Sequence, residues 1–220
     1  MEKLDIKICG LKTDDALAAA LAGGASHVGF IFFPKSPRNI APSEAGRLRL
    51  AASGRAKAVA VTVDAGDALL DGIVAAMAPD LLQLHGAESV ERVAEVKARY
   101  GLPVIKALSV RETVDLAAAR AYAGVADRLL FDAKPPKGSE LPGGNGVSFD
   151  WRLLAGIDRG IDYLLSGGLN AANIGQALSL ARPSGIDISS GVESAPGVKD
   201  PALIAAFFRA VAAARDKTAA

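Results

Sequence analysis

Eight apolar, β-branched runs recur along the chain, each followed by a helical pattern, and this recurrence limits the possible folds more than any other feature. The runs begin near Leu4, His27, Lys57, Leu81, Pro103, Asp127, Ile161 and Gly185. Their starts lie roughly 22 to 34 residues apart, about one strand and one helix each. Eight such units in 220 residues predict an α/β chain folded as a (β/α)8 TIM barrel, a single domain over residues 1–220. An open, doubly wound sheet is the competitor, but units this regular leave little room for its excursions.

Composition agrees with a self-sufficient core. Half the residues are apolar, many of them alanine, which favours helices, and folding needs no metal or disulfide. The 25 Lys and Arg against 24 Asp and Glu leave a net charge of +1. That balance speaks against a nucleic-acid partner or an anionic membrane surface. No stretch is long and apolar enough to span a bilayer. The first residues, Met1-Glu2-Lys3-Leu4-Asp5-Ile6-Lys7, carry charge where a signal peptide needs an apolar stretch. Cys9 is the single cysteine and has no internal disulfide partner, so a reducing, cytoplasmic setting is expected.

Strand parity carries a second signal, because alternate side chains face opposite sides of a strand. In Leu4-Asp5-Ile6-Lys7-Ile8-Cys9 the even positions are apolar and suit the helix layer. Asp5, Lys7 and Cys9 then point inward, with Cys9 at the carboxyl end. The same parity turns Gln83 and His85, Leu130 and Asp132, and Asp187 and Ser189 inward on the fourth, sixth and eighth strands. Polar groups converging there fit a mouth that takes a polar ligand. Helix-start signals support the units: Asp67 is expected to cap the third helix, Asn170 precedes Ala171-Ala172-Asn173-Ile174, and Asp200-Pro201 opens the last helix. The stretch from Ala133 to Ser148 holds three prolines and four glycines. It reads as a lid loop over 133–148 or as a disordered spacer.

Cys9 stands at a strand exit before Gly10. It suits a small core position, or a base or nucleophile if nearby positive charge favours the thiolate. Asp132 ends the sixth run and reads as a turn residue or as one half of an acid–base pair with Cys9. Gly167-Gly168 after the seventh strand and Ser190-Gly191 after the eighth fit a phosphate site, which recurs there in such barrels. Arg38, in a loop after the second strand, can pair bidentately with a carboxylate or simply be solvated. His85 has no second metal ligand at a suggestive spacing, so no metal site is expected. Gly143-Gly144-Asn145-Gly146 lacks the third glycine of a dinucleotide fingerprint.

Taken together, several stretches resemble the phosphoribosylanthranilate isomerase family of tryptophan biosynthesis. They are Lys7-Ile8-Cys9-Gly10-Leu11; Gly29-Phe30-Ile31-Phe32 with Ser36-Pro37-Arg38; Gln83-Leu84-His85-Gly86; Asp132 with Gly143-Gly144-Asn145-Gly146 and Phe149-Asp150-Trp151; Ser166-Gly167-Gly168-Leu169-Asn170; and Asp187-Ile188-Ser189-Ser190-Gly191-Val192-Glu193. Lys12 and Asn145 depart from the threonines more usual at their positions. The resemblance implies an Amadori rearrangement of N-(5'-phosphoribosyl)anthranilate to 1-(2-carboxyphenylamino)-1-deoxyribulose 5-phosphate. It implies Asp132 as general acid, Cys9 as the base at C2', and Asp187 as a substrate contact. It implies no redox or metal cofactor and a small phosphosugar–anthranilate substrate as the partner; the sequence leaves monomer and homodimer both open. A related aminoaldose isomerase of histidine biosynthesis would call for aspartate where Cys9 stands. A catalytically silent phosphate-binding barrel would need neither Cys9 nor Asp132.

Overall fold

A computed structural model describes residues 4–136, 138, 139, 141–158 and 160–219, with the side chains of 217–219 left aside. The charged start, Met1 to Lys3, and two residues of the expected lid, Lys137 and Glu140, lie outside this set. Eight parallel strands close into a barrel in sequence order. They are β1 (Asp5–Cys9), β2 (His27–Phe32), β3 (Lys57–Thr62), β4 (Leu81–Leu84), β5 (Val104–Val110), β6 (Arg128–Ala133), β7 (Tyr163–Leu165) and β8 (Gly185–Ile188). The ring closes where β8 pairs with β1, Asp5 opposite Gly185 and Lys7 opposite Asp187. The order fits the eight predicted runs, since short crossovers make sequential strands neighbours.

Two apolar layers follow from strand parity. Ile6, Ile8, Val28, Phe30 and Phe131 face the helices in the outer core. Cys9, Val59, Val61, Ile105, Leu130 and Leu164 fill the barrel interior. The outer layer comprises α1 (Asp14–Ala22), α2 (Pro42–Ala52), α3 (Asp67–Met77), α4 (Val90–Tyr100), the short α5 (Ala119–Ala123), α6 (Ile174–Ala181) and α7 (Pro201–Ala219). A hairpin of β9 (Glu193–Ala195) and β10 (Val198–Lys199) sits between β8 and α7.

Three local expectations change. Asp67 does not cap α3: Gly66 holds the cap position, and the Asp67 carboxylate instead accepts from Arg92 Nη2 at 2.6 Å. An arginine on the next helix outcompetes the backbone amides for a charge already in the first turn. Asn170 acts one turn early. Its Oδ1 accepts from the Ala172 and Asn173 amides, and α6 starts only at Ile174. The unit after β6 has no full helix, because the Pro- and Gly-rich stretch consumes its chain. A 3-10 turn, Trp151–Gly156, packs Trp151 and Leu154 into the place a helix would fill. Asp200 does cap α7, accepting from the Ala202 and Leu203 amides. Among the described residues no helix is long and apolar enough to cross a membrane.

The amino-terminal ends of the strands carry structural charge. Arg128 donates to Asp5 (2.8 Å), Asp162 (3.1 Å) and Ser184 (2.7 Å). His27, 6% exposed, sits among these groups, and burial pushes its imidazole from 6.5 down to about 4. The unfolded chain therefore takes up a proton below pH 6.5 that the folded chain resists until about pH 4. This contribution is complete above pH 6.5 and drains away as pH falls toward 4. In urea unfolding, His27→Asn should reduce the stability lost between pH 7 and pH 5 by about 2 kcal/mol. An unchanged loss would remove His27 as its source.

Candidate active site

The carboxyl ends of the strands surround a cleft open to solvent. Cys9 and Asp132 both line it, from β1 and β6. Arg38, Gly167, Gly168, Asp187 and Ser190 share its wall. Gly191 falls behind the rim, where its backbone packs so closely on the Leu169 carbonyl that a Cβ would clash. Among the described residues no cluster of three or more His, Cys, Asp or Glu is arranged to hold a metal ion.

Asp132 is buried, and each carboxylate oxygen has a partner. Oδ1 accepts from the Ala133 amide (2.9 Å), and Oδ2 meets His85 Nε2 (3.2 Å). On the other side of the ring, Gln83 Nε2 meets His85 Nδ1 at 2.9 Å. The path runs Gln83, His85, Asp132, with the first two on the inward parity of β4 and its exit. Parity singled out both, but the sequence offered no sign that they meet the carboxylate across the barrel.

The thiol lies in a charged pocket. Lys7, completely buried, donates to Asp187 Oδ1 at 2.8 Å, and its ammonium lies on the same side of Gly29 as the Cys9 sulfur. Burial pushes the Cys9 thiol above its ordinary range, against the pull of the Lys7 ammonium. For Lys7 itself burial works downward, yet the Asp187 charge and its hydrogen bonds hold the ammonium above the usual lysine value. Ser189 Oγ donates to the Cys9 carbonyl (3.1 Å), tying the exits of β8 and β1 together.

Arg38 is not a solvated surface arginine. It is 3% exposed, and Nε and Nη2 reach the two Glu193 oxygens at 2.8 Å each. Nη2 also donates to the Gly144 carbonyl at 3.2 Å, and Nη1 lies beside the same glycine. Gly10, at φ +79°, makes room: a Cβ there would lie 2.8 Å from Arg38 Cδ. Lys199, also buried, donates to Glu193 Oε1 and to the Ser189 carbonyl (3.0 Å). Burial raises and the two cations lower the Glu193 carboxyl, and the cations prevail. Glu193 is 155 residues from Arg38, so no local pattern could announce the pair. Of the departures from the family pattern, Lys12 donates to the Pro37 carbonyl, and Asn145, which lines the cleft, donates to the Leu141 carbonyl.

The chain matches, over residues 6–210, the family described as N-(5'phosphoribosyl)anthranilate (PRA) isomerase. An N-(5'-phosphoribosyl)anthranilate isomerase of Mesorhizobium japonicum is 76% identical over 217 residues, covering 99% of each chain. One from Chelativorans sp. (strain BNC1) is 70% identical and covers 98% of this chain and 99% of its own. A crystal structure of the Thermotoga maritima phosphoribosyl anthranilate isomerase superposes with a TM-score of 0.85 at 33% identity, over 96% of this chain and 100% of that one. A related crystal structure, of the enzyme in complex with reduced 1-(o-carboxyphenylamino)-1-deoxyribulose 5-phosphate, gives 0.83 at 30% identity, over 96% and 100% of the two chains. With its barrel, its inward cysteine and aspartate, and near-complete coverage by these relatives, the chain belongs to the N-(5'-phosphoribosyl)anthranilate isomerase family.

Proposed function

We propose that Cys9 and Asp132 are the base and acid of the phosphoribosylanthranilate isomerase reaction of tryptophan biosynthesis. The observation that carries this is their placement on β1 and β6, facing one cleft with no strand between them and the ligand space. The substrate, N-(5'-phosphoribosyl)anthranilate, has a phosphate at one end and a carboxylate at the other. The loops at Gly167-Gly168 and Ser190 take the phosphate, and Arg38 takes the carboxylate. Holding both ends directs C2' at the thiol and the ring oxygen at Asp132.

Asp132 gives its proton to the ring oxygen as the C1'–O bond breaks, and the nitrogen lone pair forms the protonated Schiff base. The Cys9 thiolate then takes the C2' proton. The C–H electron pair becomes the C1'–C2' double bond and neutralises the iminium. Loss of the 2'-hydroxyl proton and protonation at C1' complete the ketone. The substrate's own iminium is the electron sink, so these residues need supply only protons and positioning. A thiol buried in its protonated form is the resting state; it first gives its proton to solvent, and the iminium's positive charge favours the thiolate that remains.

Residues 141–147 of the expected lid line the cleft. The Gly144 carbonyl is held by Arg38, and Gly143 lies against His85 and Asp132. Such a loop excludes water from the iminium. A reduced Cys9 thiol suits a cytoplasmic setting.

Cys9→Ser and Asp132→Asn should each lower turnover by about 10²- to 10⁴-fold, read by the fluorescence of phosphoribosylanthranilate as it is consumed. Either variant turning over at the unmodified rate would remove that residue from the mechanism. For the intact protein kcat/KM should rise with pH through the alkaline range, because burial raises the thiol in the free protein. A flat profile from pH 7 to pH 10 would contradict an ionising thiol. Glu193→Gln weakens the grip on Arg38. Losing about 1.5–3 kcal/mol of charge-assisted hydrogen bonding should raise KM about ten- to hundredfold with a smaller change in kcat. An unaltered KM would show that Arg38 needs no such support.

A further inference from the structure

Lys7 has no part in the acid–base scheme, yet it is the most costly residue in the barrel interior. Its side chain is fully buried, and removing an ammonium from water costs several kcal/mol unless it is compensated. A structural filler at this position would be better made from an apolar side chain. The surroundings show what the charge is for. Lys7 and Cys9 are two residues apart on β1, so parity turns both inward, one above the other. Lys7 pairs in register with Asp187, which places the carboxylate beside the ammonium at 2.8 Å. The ammonium also lies near the Cys9 sulfur, both atoms bordering the space beside Gly29.

Gly29 completes the arrangement. It is the register partner of Cys9 on β2. A Cβ at Gly29 would lie 3.0 Å from both Cys9 Sγ and Lys7 Nζ, so a larger residue would crowd the two atoms where they meet. The charged groups facing the thiol are Lys7 from β1, Asp187 from β8 and Lys199 from β10; β2 offers only the bare glycine. Asp187 repels a thiolate and the two lysines attract it. Without Lys7 the sulfur would face the Asp187 carboxylate with only the more weakly coupled Lys199 to offset it.

We propose that Lys7 is a positioning residue for the isomerisation, its ammonium aligned by Asp187 to hold the Cys9 sulfur and stabilise the thiolate that takes the C2' proton. This rests on Cys9 being the base of the proposed reaction. The test reads the thiol itself, so the two can fail separately. Cys9 is the single cysteine, and alkylation by iodoacetamide reports its thiolate fraction without any substrate.

For the intact protein and for Lys7→Met, the alkylation rate is measured across pH 6.5 to 10.5. Losing a close opposite charge moves a titration by about one to three units. The Lys7→Met curve should therefore shift to higher pH, with the rate at pH 8 falling about tenfold or more. Turnover should follow the same displaced curve, and Lys7→Arg should restore part of both. A variant that merely loosened the barrel would expose the sulfur and alkylate faster, the opposite sign. Gly29→Ala keeps the Lys7–Asp187 pair and crowds the sulfur, the ammonium and the Cys9 backbone between them; it should slow alkylation at pH 8 in the same direction. If Lys7→Met does not fold, Gly29→Ala decides alone. An alkylation curve that coincides with that of the intact protein, or moves to lower pH, overturns the proposal.

Discussion

The seam where β8 meets β1 is the constraint on which the rest of the molecule depends. Seven strand pairings would make an open sheet; the eighth makes a barrel with an inside. The residues that close it, Asp5 opposite Gly185 through Ile8 opposite Ile188, also set the height at which Lys7 and Asp187 meet. A slip of one residue would turn Lys7 and Cys9 to the helix layer and bring Ile6 and Ile8 inside. Such a slip would strand an ammonium among the apolar residues that pack the helices. The buried ion pair therefore works as a register lock in addition to its electrostatic role. Ser189 extends the same seam upward by bonding to the Cys9 carbonyl.

Charge inside the barrel mouth comes in linked groups. Lys7 and Asp187 neutralise one another below the thiol, while Arg38 and Lys199 share the single Glu193 carboxylate beside it. The second group carries one uncompensated positive charge. A substrate with two anionic ends enters a cleft where that surplus has already been desolvated and oriented. The protein has met that cost on folding, so the ligand meets groups that need little rearrangement.

Strand parity made much of this arrangement legible. The alternation in Leu4 to Cys9 separates the helix-facing set from the inward set, and the same count places Asp132 and Asp187. The motifs around them carried the family. Local signals were weaker. Asp67 had the right residue type for a cap, but an arginine from α4 took its carboxylate. The unit after β6 read as another strand and helix, and Trp151 and Leu154 instead fill that place from a 3-10 turn. The Arg38–Glu193 and His85–Asp132 contacts join different parts of the barrel. Their distances in sequence leave nothing for a spacing rule to detect, and only the closed sheet brings them together.

The two ends of each strand have separate duties. Arg128 fastens Asp5, Asp162 and Ser184 at one end, while the thiol and carboxyl occupy the other. Side chains at the first end touch neither the cleft nor the loops that roof it. That spatial divorce gives the molecule room to adapt: substitutions that harden the floor against heat, or soften it for colder growth, alter how long the protein survives without retuning what it does.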